Sequence, residues 1–132
     1  MKKALELTHQ HFESSSGRTP QYREWHRVFK KEFTKFLENS GAFGIEIGKP
    51  NHFDMSGFFM LPGKQIMYFS ISDLRWFKDN MLVRTASSYK DYTGGVNKYT
   101  PLRNVEDFAL GFWKICEAQN RLVNWLWEYH CY

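Results

Sequence analysis

Cysteine is scarce in this chain. The two present, Cys116 and Cys131, stand fifteen residues apart on one predicted helix. That spacing corresponds to roughly 22 Å at about 1.5 Å per residue, beyond disulfide reach, so no internal bridge is expected. There is no Cys-X-X-Cys, and none of His9, His11, His26, His52 and His130 forms a pair four apart around a Glu, the pattern of helical zinc enzymes. His9 and His11 would point to different sides of a helix. No metal site and no cofactor is therefore expected. Ser70, Ser72, Ser87 and Ser88 lie in no Gly-X-Ser-X-Gly setting, and Gly94-Gly95 lacks the Lys-Ser/Thr and following helix of a phosphate loop. No apolar run approaches the roughly 20 residues that span a bilayer. Met1-Lys2-Lys3 leads into ALELTHQHFE instead of an apolar leader. These absences argue for a cytoplasmic, reduced protein with no membrane partner. They give no catalytic set.

Internal repeats, linkers and low-complexity segments are lacking too, so residues 1–132 read as one domain, long enough for a core without staples. What is abundant is aromatic: Phe, Trp and Tyr make up 18% of the chain. Rings bury the most area per residue and also enrich binding surfaces. The net charge of +4 is uneven. Residues 18–38 hold six bases and three acids, residues 64–103 seven bases and three acids, and residues 104–132 four acids and two bases. A basic body with an acidic tail suits a polyanionic partner.

The middle of the chain, residues 64–102, reads as consecutive antiparallel strands. Residues 65–76 alternate, with Ile66, Tyr68 and Ser70 on one face and Met67, Phe69 and Ile71 on the other. Both faces are apolar, which predicts an inner strand. Lys78-Asp79-Asn80 suits a tight turn before a return strand at 81–86. Gly94-Gly95, between YKDYT and VNKYT, predicts a two-residue hairpin in which Asp91 faces Lys98. Earlier, residues 43–47 and 55–61 are candidate strands, the second joined to residues 65–71 through Pro62-Gly63. Gly57 inside it suggests a bulge or a close backbone approach.

Helices are predicted on both sides. Residues 4–12 suit a short helix, and Ser14-Ser15-Ser16-Gly17 breaks it. Thr19-Pro20 is a capped start for a helix whose apolar stripe is Tyr22, Trp25, Phe29, Phe33, Phe36 and Leu37, closed by Asn39-Ser40-Gly41. Asn104 and Asp107 make a capping pair for a long helix from Val105 to about Tyr129, with Phe108, Phe112, Ile115, Gln119, Leu122, Val123 and Leu126 on one face. Trp113, Trp125 and Trp127 fall off that stripe. The expected fold is α+β: a four- to five-stranded antiparallel meander packed by an N-terminal helix and a long C-terminal helix.

One stretch interleaves rings and cations: Arg75, Trp76, Lys78, Arg84, Tyr89, Lys90, Tyr92, Lys98, Tyr99 and Arg103. A sheet face with flat rings beside positive charge is what single-stranded nucleic acid requires. The expected function is accordingly a non-enzymatic protein that engages nucleic acid or a nucleoprotein through that surface. The competing account of the same residues is a sheet face under a helix with cations snorkelling at its rim. A second reading takes His52, Asp54, Asp73 and Arg84 as a small phosphoester-hydrolysing or nucleotide-binding site, His as acid/base and Arg on the developing charge. Its competitor is a loop in which Asn51 and Asp54 satisfy backbone groups. A third takes the Trp-rich tail, NRLVNWLWEYHCY, as an interaction or homodimerisation helix. In profile (short, single-domain, aromatic-rich, without catalytic motifs) the chain resembles the small stoichiometric inhibitors of phages and mobile elements, anti-CRISPR proteins among them. That resemblance carries over no residue.

Overall fold

A computed structural model describes residues 1–10, 19–48, 55–74, 79–91 and 95–131, the last eleven by backbone alone. Three helices and five strands follow in the order α1 (Lys2–Thr8), α2 (Pro20–Asn39), β1 (Phe43–Ile47), β2 (Met55–Leu61), β3 (Gln65–Ile71), β4 (Asn80–Thr85), β5 (Lys98–Pro101) and α3 (Val105–Cys131). The strands form one antiparallel sheet in the order β1-β2-β3-β4-β5, the expected meander. No described helix is long and apolar enough to cross a membrane.

The boundaries follow from local chemistry. At the head of α2 the Thr19 hydroxyl accepts from the Tyr22 amide at 3.2 Å, and Pro20 loses nothing by lacking a donor there. Gly41, at φ 92°, ends it: its amide bonds the Glu38 carbonyl while the Ala42 amide bonds Leu37, two helix-end acceptors satisfied together. Pro62 and Gly63, the latter at φ 93°, turn β2 into β3, closed by Lys64 N–H to Leu61 C=O at 2.9 Å. Asn104 caps α3, its Oδ1 accepting from the Asp107 amide at 2.8 Å while its amide donates to Asp107 Oδ2.

Helices α2 and α3 lie on one face of the sheet. That inner face carries Met55, Phe59, Met67, Phe69, Ile71, Met81 and Val83, all buried. Phe33 is the hub, with ring centroids 4.8 Å from Phe69 and 5.5 Å from Phe112; Phe36 stacks on Trp113 at 5.4 Å. Phe59 meets Phe112 at 5.7 Å. These ring pairs each add of order 1 kcal/mol beyond the area they bury. Most of the described aromatic residues thus belong to the core. Helix α1 docks on α2 through a buried polar chain: Trp25 Nε1 donates to Thr8 Oγ1 at 2.7 Å, which donates to the Ala4 carbonyl at 2.8 Å.

Two local expectations are corrected. The N-terminal helix ends at Thr8, and its Phe12 and the Ser-rich breaker lie outside the described residues. Among the described residues the pairing expected of the double-glycine hairpin is absent. Lys98 pairs with Val83 of β4 and not with Asp91, which bridges only to Ser88. The reason is visible at Gly95: a Cβ there would collide with the Thr85 backbone. This glycine allows the chain to press on the end of β4, a close approach that local turn propensity does not reveal.

Candidate sheet-face interface

With both long helices on one side, the other side of the sheet carries the alternate residues of each strand. Register sets them in rows. Glu46, Phe58, Tyr68 and Arg84 lie side by side across β1–β4; Phe43 is in line with Met60 and Ile66; Ser70, Leu82 and Tyr99 form the next row. From β1 to β5 the span is about 19 Å, four strand spacings of about 4.8 Å.

The described parts of the β4–β5 connection, residues 86–91 and 95–97, fold over the middle of this outer face. Tyr89 stacks on Phe58 with centroids 5.8 Å apart and 27° between planes, and its hydroxyl donates to the Gly44 carbonyl of β1 at 2.5 Å. Loss of water around the ring, then the nearby Glu46 charge, raise the Tyr89 phenol above its ordinary range. Arg84 holds the other end, donating from Nη1 to Asn97 Oδ1 at 2.8 Å and from Nη2 to the Gly95 carbonyl at 2.7 Å. Its Nε is buried with no hydrogen-bond partner among the described residues. Within the cover, Ser87 donates to Asp91 at 2.9 Å. Tyr68 beneath is only 6% exposed. At the margins Tyr99 is 60% exposed, Val96 66% and Phe43 46%.

Of the ten residues marked by their ring-and-cation pattern, the six described are dispersed. Arg75, Trp76, Lys78 and Tyr92 lie outside the described residues. Arg84, Tyr89 and Tyr99 belong to the outer face, but Arg84 and Tyr89 are engaged in holding the cover. Lys90 is exposed on that cover. Lys98 is exposed as well, yet it alternates to the helix side of β5, opposite Val83. Arg103 stands apart at the head of α3, where Nε donates to Asp107 at 2.7 Å. That bond, followed by the one from Asn104, holds the Asp107 carboxyl below its ordinary range. The residues that sequence reasoning missed are Phe43, Phe58 and Val96. Phe58 was signalled by the alternation of β2, read for fold and not for surface, whereas Phe43 joins this face only through the register shift between Phe43 and Glu46, and Val96 lies outside both strands.

The second set does not assemble among the described residues. His52 and Asp54 lie outside them, and Asp73 follows the end of β3 where Ile71 pairs with Met55, whereas Arg84 sits opposite Tyr68. No three His, Cys, Asp or Glu side chains converge as metal ligands among the described residues. Of the Trp-rich tail, the helical backbone extends to Cys131, while the side chains of Trp125, Trp127 and Tyr129 lie outside the description. Cys116, facing a cleft of about 340 Å³ with Ser40, Pro62 and Trp113, is 1% exposed, and burial pushes its thiol far up, away from reactivity. Compared with known proteins, the chain matches no family model, no curated protein and no solved structure.

Proposed function

We propose that this chain is a binding protein that engages single-stranded nucleic acid across the helix-free face of its sheet. The observation that carries the reading is that face itself: helices on one side only, and exposed rings at both margins of the other. Tyr99 borders it at β5, and Phe43 borders it at β1. Every base offers a flat face to such rings, so stacking tolerates sequence.

Charge favours the β4–β5 half. Arg84 and Lys90, against Asp91, belong to it, whereas β1 contributes Glu46. Both acceptors that Arg84 holds are uncharged. A strand of nucleic acid would accordingly anchor near Tyr99 and run toward β1.

Fluorescence anisotropy with labelled single strands and duplexes across a salt series tests this. Affinity should fall as salt rises, because phosphate contacts release counterions. Tyr99→Ala should weaken binding by about 1–3 kcal/mol, the usual worth of one base–ring stack. Affinity indifferent to salt, or equal for duplex and single strand, would remove the proposal.

A further inference from the structure

The cover over the outer face occupies the groups that a nucleotide would use. Phe58 and Tyr68 lie with ring centroids 5.2 Å apart, and Arg84 is the cross-strand neighbour of Tyr68. Tyr89 places a flat ring on Phe58, and the Gly95 and Asn97 oxygens sit on two of the Arg84 nitrogens. One ring stacked on a ring and two oxygens on a guanidinium are the contacts of a base and a phosphate.

We propose that Phe58, Tyr68 and Arg84 form a nucleotide subsite, and that Tyr89 with the Gly95 and Asn97 oxygens is an internal competitor that a bound strand displaces. This rests on the reading of the sheet face given above. Three features make displacement favourable. Phosphate oxygens are charged, and charge-assisted hydrogen bonds are roughly twice as strong as those to a carbonyl or amide. Arg84 Nε is buried without a partner among the described residues, a donor in the plane of the fork that a phosphate oxygen would satisfy. Finally, among the described residues the cover is held to the sheet mainly by side chains. The Ala86 amide to the Ile66 carbonyl, at 2.9 Å, lies at its root.

The affinity measured for the closed protein is reduced by the fraction of molecules in which the subsite is open. Removing Tyr89 deletes its stack and its hydrogen bond, so Tyr89→Ala should bind a labelled oligo-dT of about twelve nucleotides about tenfold tighter than wild type. Tyr89→Phe, which keeps the ring, should fall between. Arg84→Gln should bind more weakly than wild type, with a salt slope smaller by about one.

If wild type binds and Tyr89→Ala binds equally or more weakly, the competitor is refuted while the sheet-face reading stands. If neither binds, both fall. Should Tyr89→Ala fail to fold, Asn97→Ala supplies the same comparison: it removes one acceptor from Arg84 at an exposed position. Binding a few-fold tighter supports the competitor, and unchanged or weaker binding overturns it.

Discussion

Gly57 sits where β1 and β2 approach most closely, and replacing it by alanine gives a sharp test of the register. It pairs with Ile47, and a Cβ built on it would overlap the Glu46 carbonyl oxygen and stand 3.0 Å from Ile47 Cα. Both neighbours are backbone, so no rotamer change relieves the clash. Strand β1 must move or strain must be stored. Overpacking of this kind costs about 1–3 kcal/mol. The upper limit is set by β1 itself, because detachment would cap the cost. Detaching it loses two or three cross-strand bonds, each worth about 1 kcal/mol net, and part of the burial of the half-buried Ile45 and Ile47, each about 1 kcal/mol. Gly57→Ala should therefore destabilise by about 2–4 kcal/mol, lowering Tm by roughly 6–15 °C for a chain of this size. Gly48→Ala is the control. Its Cβ would meet only the Ser56 carbonyl oxygen at 3.6 Å, ordinary contact, so the change should be within about 0.5 kcal/mol of neutral or slightly stabilising. Urea unfolding followed by circular dichroism compares the two. Equal stabilities for the two variants would refute the bulged β1–β2 register.

Thr8→Val keeps the shape of a buried residue but removes the acceptor of the Trp25 indole N–H, both residues being 0% exposed. An orphaned buried donor should cost about 1–3 kcal/mol in urea unfolding, and Thr8→Ser should restore most of it. His26 supplies a pH dependence. Burial, against a hydrogen bond to the Gly48 backbone and with help from Lys30, lowers its pKa below the ordinary 6.5, so the unfolded chain binds the proton first. The His26 contribution is complete above about pH 6.5 and is lost as pH falls through the lowered folded value. Thermal melts from pH 7.5 to 5 should show that loss for wild type and a flatter profile for His26→Gln; parallel profiles would refute it.

The parts of the fold that could be read from sequence are those decided by a few neighbouring residues. Thr19-Pro20, Gly41, Pro62-Gly63 and Asn104 each fix a boundary through an amide or carbonyl that needs a partner, or through a positive φ, and each does so here. Gly57 was legible for a related reason, since a glycine within an alternating strand must answer to something across from it. The same reasoning failed at Gly94-Gly95. A glycine pair satisfies a type I′ turn, but the position of Gly95 is set by Thr85, ten residues earlier, through a close approach of backbones. Local propensity cannot distinguish the two. The candidate surface suffered likewise. Lys98 and Tyr99 are adjacent in sequence but point to opposite sides of β5, and Arg103 belongs to a helix cap. The rings that do share a face, Phe58 and Tyr68, come from different strands and acquire their common row only through register.

The way the outer face is covered bears on whether it is simply a second core. A layer meant to bury Phe58 and Tyr68 permanently would be joined to the sheet by ladder hydrogen bonds or by a wide apolar contact, as α2 and α3 are joined to the inner face through Phe33 on Phe69 and Phe112 on Phe59. Here the described cover has an internal bridge, Ser88 to Asp91, and meets the sheet through the Tyr89 ring and hydroxyl, two acceptors for Arg84 and the backbone bond from Ala86 to Ile66. Lifting it breaks a handful of contacts and leaves the β1–β5 register and the Phe33 core intact. Its opening should therefore require much less free energy than global unfolding, as expected of a locally cooperative unit. Such an opening exposes two rings, Phe58 and Tyr68, that the β2–β3 register holds side by side, and releases the Arg84 guanidinium from its two acceptors.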